Sequence, residues 1–378
     1  MTHTLELLPV DPHRPAAILR DLEEAISGQR SFLPVPAHDR TRTDQLRTTL
    51  SPGTDIDAGV ALVVATSGST GRPKGAQLTP VNLVASADAT HQFLGGPGQW
   101  LLAMPAHHIA GLQVLVRSLV AGVDPLTVDV SAGFHVPDFA DAAAELARTG
   151  DRLYTSLSPM QLAKAMNSLA GIEALRVFDA VLVGGAATNP RLLTAARELR
   201  IHVVTTYGSS ETAGGCVYDG APLPGVKIRV DDGRITLGGP MIAAGYRGLP
   251  GHAAFAEEGW FRTSDGGELI DGRLTVTGRL DAVIDSGGLK LHPEVLEKEM
   301  LSLPGVDGAC VVGISHERFG QAIVAAYEGS AERADVLEGL DHLPRWQIPK
   351  DLRRVEKLPV TGPGKVDRQA VTRLFSGD

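Results

Sequence analysis

An apolar run from Val60 to Ala65 stops at Thr66-Ser67-Gly68-Ser69-Thr70-Gly71-Arg72-Pro73-Lys74-Gly75. A short run of this kind, ended by Gly-rich sequence, reads as a buried strand that feeds a loop. The loop combines glycines, hydroxyls and two cations. It can therefore present backbone N–H groups, O–H donors and positive charge together, which is what a polyphosphate needs. It is not a Walker A loop, because Lys74 is followed by Gly75 rather than by Ser or Thr. Strand and helix alternate from here. Thr79-Pro80 places an N-cap before a proline at the first helical position. Leu101 to Ala103 is a strand, Ile109 to Val120 a mostly apolar helix, and Ala132 to Arg148 contains an Ala-rich helix. Val177 to Val183 is a second buried strand, Asn189-Pro190 opens the next helix, and Ile201 to Thr205 is another strand. Such alternation argues an α/β layered domain with parallel strands.

Residues 1–59 read as a helix from about Pro15 to Ile26 and then a polar, Pro-containing connection. After Gly220 the texture changes to short strands, with Asp232-Gly233 and Asp271-Gly272 as hairpin signals. A third texture starts near Arg279, with helices from Pro293 to Leu301, Asp335 to Leu340 and Asp367 to Phe375, and strands at Ala309 to Ile314, Ile323 to Tyr327 and Leu352 to Val355. The predicted fold class is α/β: a large layered N-terminal domain over 1–278, with mixed sheets, helices and a β-rich end, followed by a small α+β domain over 279–378.

Composition narrows the function classes. The 378 residues allow two or three domains at about 150 residues each. Apolar and charged fractions of 43% and 21% are ordinary for a folded chain. A net charge of −9 repels phosphate backbones and disfavours nucleic-acid binding. Cys216 and Cys310 lie far apart, so they form neither a disulfide framework nor a zinc spacing and read as inert core residues. No apolar run reaches the length of a membrane span, and MTHTLELLPVDPHRP has no basic region leading into an apolar one. The expectation is a cytoplasmic protein, and a homodimer is left open.

The Thr66–Gly75 segment resembles the signature loop of the adenylate-forming superfamily, which includes acyl-CoA synthetases, non-ribosomal adenylation domains and firefly luciferase. Six further segments resemble the family's motifs in the family's order. They are Pro105-Ala106-His107-His108-Ile109-Ala110-Gly111, Gly184-Gly185-Ala186, Tyr207-Gly208-Ser209-Ser210-Glu211-Thr212, Trp260-Phe261-Arg262-Thr263-Ser264-Asp265, Gly278-Arg279-Leu280-Asp281 through Gly287-Gly288 to Glu294, and Pro359-Val360-Thr361-Gly362-Pro363-Gly364-Lys365. Ser210 stands where the family usually has Thr. One such match is weak, and seven in order exclude chance.

The resemblance implies a role for each residue. Lys74, with Ser67, Ser69 and Thr70 in the loop that Thr66 and Gly68 help shape, would hold the β- and γ-phosphates of ATP. Tyr207 would stack on adenine, with Gly184, Gly185 and Ala186 on the adenine side and Gly208 and Ser209 beside them. Glu211 would bind Mg²⁺, a hard cation that takes carboxylate and phosphate oxygens. Thr212 would touch the α-phosphate, Asp265 would accept the ribose hydroxyls, and Arg279 would assist from the hinge side. His108 would act as a gate between the ATP and acyl sites, whereas His107 has no motif support. Lys365 would bridge the attacking carboxylate and the α-phosphate, where an ammonium offsets the repulsion of two anions. No general base is needed, because a carboxylate is already ionised at pH 7. The small domain is then expected to be mobile and to pivot near Asp281, with Gly287 and Gly288 lining the approach of CoA.

The chain departs from the family in length, since only 65 residues precede Thr66. Compact members of this kind resemble o-succinylbenzoate–CoA ligases of menaquinone biosynthesis, and Pro105 to Ala121 is the stretch that suggests it. The resemblance implies ATP, CoA and o-succinylbenzoate as substrates. The absence of a carrier-protein domain after Asp378 argues against a non-ribosomal module. Another acyl- or aryl-CoA ligase, or a stand-alone enzyme that loads a carrier protein, is the alternative. A second carboxylate in the acid needs a buried cation or several donors. Arg117 is the candidate cation, Ser156, Ser158 and Gln161 are candidate donors, and Gly214-Gly215 would make room for the ring.

Overall fold

Residues 1–59 hold more structure than a polar connection. In the computed structural model, which describes residues 1–66, 73–361 and 365–376, Thr2–Val10 and Ser31–Pro36 are parallel strands and Arg40–Leu50 is a helix. The expected helix is present as a 3-10 turn, Pro15–Ile18, running into Leu19–Ile26. The strands enter a five-stranded sheet in the order Asp55–Asp57, Thr2–Val10, Ser31–Pro36, Leu62–Ala65, Gly75–Leu78. Two prolines in Ser31–Pro36 argue against a strand with neighbours on both sides. The structure resolves the conflict. Pairing with Leu62–Ala65 is confined to Phe32 against Leu62, where Phe32 donates its N–H to Ala61. Pro34 faces the same side and has no N–H to donate, so the ladder goes no further along it.

A seven-stranded sheet follows, in the order Ala221–Pro222, Gly214–Tyr218, Val203–Ser209, Ala180–Val183, Leu153–Leu157, Gln99–Leu102, Leu126–Thr127. Its pairs from Val203–Ser209 onward are parallel, while Gly214–Tyr218 runs antiparallel to Val203–Ser209. Helices Pro80–Leu94 and Ile109–Ala121 share one core with the N-terminal sheet through Leu8, Leu22, Leu62, Leu83, Trp100 and Leu112. The other face packs against Val136–Leu146, Pro159–Met166 and Leu169–Arg176 around Phe139, Leu146, Leu175 and Val181. Thr79 closes a capping box with Asn82, whose side-chain amide also donates to Pro240 O at 2.7 Å.

The β-rich end is a four-stranded antiparallel sheet from Lys227–Asp231 to Arg273–Arg279. Its two hairpins turn at Asp232-Gly233 and Asp271-Gly272, where all four residues have φ between 49° and 75°. That left-handed pair is what a two-residue hairpin of matching twist demands. From Ile284 onward the chain builds its own sheet, Leu289–Leu291, Ile284–Ser286, Gly320–Gly329, Val306–His316, with Asp351–Arg354 added to Gly320–Gly329. Two apolar clusters there contain only residues from Ile284 on. The two parts meet where Glu294, on helix Pro293–Leu301, packs against Gly278. A Cβ at Gly278 would lie 2.4 Å from Glu294 Oε2. Arg368 holds Glu294 at 3.2 Å and Glu297 at 2.7 Å from below.

Thr79→Ala removes the cap, and thermal unfolding should register a loss of about 1 kcal/mol. The apparent affinity for nucleotide should not change, because the cap lies in the framework. A variant of unaltered stability would show that the helix start is held by other contacts.

Candidate active site

The site gathers at the ends of the central strands. Ala180–Val183 ends at Gly184, whose Cβ would lie 2.1 Å from Thr206 Oγ1, so no side chain fits. Gly185 has φ +84° with open space around it, and Ala186 beside it is exposed. One strand over, Val203–Ser209 carries Tyr207 past a register shift at Tyr207/Gly208. A Cβ at Gly208 would lie 2.1 Å from Gly214 O. Glycine at 184 and 208 therefore lets neighbouring backbone approach closely on either side of Tyr207.

Tyr207 donates its hydroxyl to Asp265 Oδ2 at 2.7 Å. Burial, and then the Asp265 charge, push this phenol above its ordinary pKa, so it remains a donor. Arg279 stands 3.7 Å from Asp265 Oδ1 and binds Asp281 through two contacts, Nε–Oδ1 at 2.8 Å and Nη2–Oδ2 at 2.5 Å. A polar chain thus runs from Tyr207, through Asp265 and Arg279, to the segment that leads into the C-terminal part.

Glu211 lies on the short turn Ser210–Thr212 and is buried. Its carbonyl accepts from Ala243 N at 2.9 Å, and Tyr246 donates to its Oε1 at 2.6 Å. Lys74 sits beside them, 5.0 Å from the centre of the Tyr246 ring and 3.2 Å from His252 Nε2. Neither Tyr246 nor His252 carries a local sequence signature, and only the fold brings them to Glu211 and Lys74. A carboxylate fixed at one oxygen, with an ammonium nearby, suits a polyphosphate and the hard cation that accompanies it.

Thr212, expected at the α-phosphate, has protein partners for its hydroxyl. It is fully buried, its hydroxyl donates to Gly214 O at 2.6 Å, and it accepts from Ser209 N at 2.9 Å. Ala213 and Gly214 curl the chain back with φ of 49° and 99°, which turns that side chain inward as a brace. Thr66 closes the mouth of the phosphate loop by donating its N–H to Lys74 O at 2.7 Å. Ser67, Gly68, Ser69 and Thr70 lie outside the described residues. Lys365 pairs with Thr361 in a two-stranded ribbon. Gly287 and Gly288, with φ of 66° and 82°, make the turn between Ile284–Ser286 and Leu289–Leu291. That turn by itself calls for glycine.

On the acyl side, His108 is the N-cap residue of helix Ile109–Ala121 and its side chain makes no capping bond. Its ring lies 4.1 Å from that of His107. A Cβ at Gly214 would lie 3.2 Å from Gln113 Cγ, one turn along the same helix. One turn further, Arg117 is 3% exposed. It donates to Tyr218 Oη at 3.3 Å and lies 4.9 Å over the Trp100 ring. Its Nε has no partner among the described residues, and no carboxylate among them pairs with it. The Tyr218 ring lies under Gly215, where a Cβ would be 2.8 Å from Cε1. Ser158 and Gln161 form a capping box, each accepting the other's backbone N–H, and Gln161 Nε2 donates to Ala103 O at 2.6 Å. Ser156 is buried at the end of its strand. Burial pushes the thiols of Cys216 and Cys310 up to about 12, which keeps both inert.

The AMP-binding enzyme family matches residues 17–247, and the AMP-binding enzyme C-terminal domain matches residues 295–365. The chain belongs to the AMP-binding enzyme family. It is 46% identical over 374 residues to a Mycobacterium tuberculosis (strain CDC 1551 / Oshkosh) protein named "Probable 2-succinylbenzoate--CoA ligase", covering 96% of each chain. It superposes on the o-succinylbenzoate CoA synthetase of Bacillus subtilis in complex with the acyl-adenylate intermediate OSB-AMP, with a TM-score of 0.75 at 25% identity over 97% of this chain and 82% of that one. ATP-bound MatB from Rhodopseudomonas palustris shares the fold, with a TM-score of 0.86 at 22% identity over 99% of this chain and 89% of that one.

The histidines make stability depend on pH. Burial, with Arg42 nearby, pushes His108 down to about 4. Burial, His108 and Arg42 push His107 down to about 3, and burial and Arg117 push His91 down to about 4. Between the ordinary value of 6.5 and these values the unfolded chain takes up protons that the folded chain refuses. Stability therefore falls as pH drops through that window. Melting temperature measured from pH 7 to pH 5 should decline, and less steeply in His107→Gln. Equal slopes would mean that His107 titrates normally in the folded protein.

Proposed function

We propose that this chain is an ATP-dependent 2-succinylbenzoate–CoA ligase. The observation that carries the reading is Arg117, a buried guanidinium at the hydroxyl of Tyr218, whose ring packs against Gly215, without an anionic partner among the described residues. An unpaired buried cation costs several kcal/mol, and a ligand carboxylate offsets that. 2-Succinylbenzoate supplies one: its ring carboxylate would sit at Arg117 and direct the aliphatic carboxylate toward the nucleotide. The name of the relative that matches nearly the whole chain supports the same acid.

In this mechanism Tyr207, Gly184 and Gly185 hold the adenine, Asp265 accepts the ribose hydroxyls, and Lys74 takes the β- and γ-phosphates. Glu211, fixed by Tyr246, would hold Mg²⁺, which when bound neutralises phosphate charge. The aliphatic carboxylate attacks the α-phosphorus and pyrophosphate leaves, giving acyl-AMP. The thiolate of CoA then attacks the acyl carbon and AMP leaves. Lys365 serves the first step as a positioned cation. It then withdraws as the C-terminal part, residues 279–378, turns about Asp281 and brings Gly287-Gly288 to the thiol's path. Positioning and electrostatics carry the rate. The reaction belongs in the cytoplasm, where ATP and CoA are at hand.

Two outcomes test this. Lys365→Ala should slow acyl-AMP formation by about 10²–10³-fold. Thioester formation from pre-made acyl-AMP should proceed at the wild-type rate, and an equal loss in both half-reactions would refute the two-pose account. 4-Oxo-4-phenylbutanoate lacks the ring carboxylate, so its kcat/KM should be lower by about 100-fold or more. Equal turnover of the two acids, or preference for a fatty acid, would remove 2-succinylbenzoate as the substrate.

A further inference from the structure

His252 lies outside every motif of the sequence and has no role in the mechanism above. It caps the short 3-10 turn Ala253–Phe255, and its Nδ1 accepts the N–H of Ala254 at 3.1 Å. That contact assigns the tautomer: with the lone pair of Nδ1 in use, the proton of the neutral ring resides on Nε2. Nε2 lies 3.2 Å from Lys74 Nζ. An ammonium carries three donors and no acceptor. Two donors therefore point at each other, and among the described residues no acceptor lies between them. Charging the ring does not help, because Nδ1–H would then oppose the Ala254 N–H. Burial and the ammonium of Lys74 already hold the imidazole below its ordinary pKa.

The surroundings hold both donors in place. Lys74 is seated over the Tyr246 ring at 5.0 Å. The His252 ring meets the same tyrosine edge-on, with centroids 4.9 Å apart. Tyr246 is itself tied to Glu211 at 2.6 Å. The pair cannot relax by rotating His252 without losing the Ala254 bond. What satisfies both N–H groups at once is an anionic oxygen lodged between them.

We propose that His252 and Lys74 together form an oxyanion subsite that grips the terminal phosphates of ATP and the pyrophosphate leaving group. The inference rests on the reading of this cleft as a site for ATP. It adds a neutral donor that lets the enzyme tell ATP from AMP: the subsite is filled by a triphosphate or by pyrophosphate and untouched by a monophosphate. After adenylation the same pair would retain pyrophosphate but ignore the acyl-AMP.

The test is direct binding to the full chain without any carboxylic acid. His252→Asn keeps an acceptor for the Ala254 N–H, since Asn is a good cap, but is too short to reach the anion. Calorimetry with the non-hydrolysable analogue AMP-PNP, with pyrophosphate and with AMP should show the first two weakened by roughly tenfold or more and AMP unchanged. A thermal melt within error of wild type establishes that the variant is folded. Should AMP weaken equally, His252 is a structural residue only; should no ligand weaken, the subsite does not exist. Either result overturns the proposal. Because no acid is present, these outcomes stand apart from the identity of the substrate: wild type that binds AMP-PNP but fails to turn over 2-succinylbenzoate would sink the ligase assignment and leave the subsite intact.

Discussion

The site depends on a close approach of two backbone segments. Gly208 lies so near Gly214 that a Cβ would come within 2.1 Å of its carbonyl oxygen. That contact permits Val203–Ser209 to leave parallel pairing with Ala180–Val183 and enter a tight antiparallel turn with Gly214–Tyr218. Everything polar in the cleft follows from the turn. Tyr207 reaches Asp265 on one side of it, Glu211 reaches Tyr246 at its apex, and Gly214 and Gly215 leave the floor above Gln113 and Tyr218 bare. The Thr212 hydroxyl, bonded to Ser209 and Gly214, holds the turn shut. Any larger residue at 208 would push these groups apart together.

A second constraint is charge. Arg117 is buried against Trp100 and Tyr218, two groups that stabilise a cation without neutralising it. A framework built only for stability would have an apolar residue there, since such a replacement of a buried charge is commonly neutral or favourable. The guanidinium instead keeps an unpartnered Nε. The proposed dianionic acid would complete it, and the distance along helix Ile109–Ala121 from His108 to Arg117 would set which end of the acid meets the nucleotide.

Much of this was legible in the residues. The hairpins at Asp232-Gly233 and Asp271-Gly272, the cap at Thr79 and the change of texture near Arg279 are local signals, and the fold agrees with them. The N-terminal sheet was not legible, because Pro34 and Pro36 speak against a strand unless one knows that its pairing with Leu62–Ala65 is limited to Phe32. Ser158 and Gln161, expected as ligand donors, also close a helix cap, a use that the Ser-Pro-x-Gln spacing encodes. Tyr246 and His252 were invisible for a different reason. Their partners, Glu211 and Lys74, are remote in sequence, and only tertiary packing joins them.

The central claim is that one specific carboxylate of a dianionic acid displaces pyrophosphate and is then displaced by CoA. Isotope transfer tests it most directly. With ¹⁸O placed in the aliphatic carboxylate of 2-succinylbenzoate, the account predicts AMP carrying one ¹⁸O atom, read by mass spectrometry. With ¹⁸O in the ring carboxylate, it predicts unlabelled AMP. Label arriving in AMP from the ring carboxylate, or arriving in inorganic phosphate with ADP as the nucleotide product, would contradict the account.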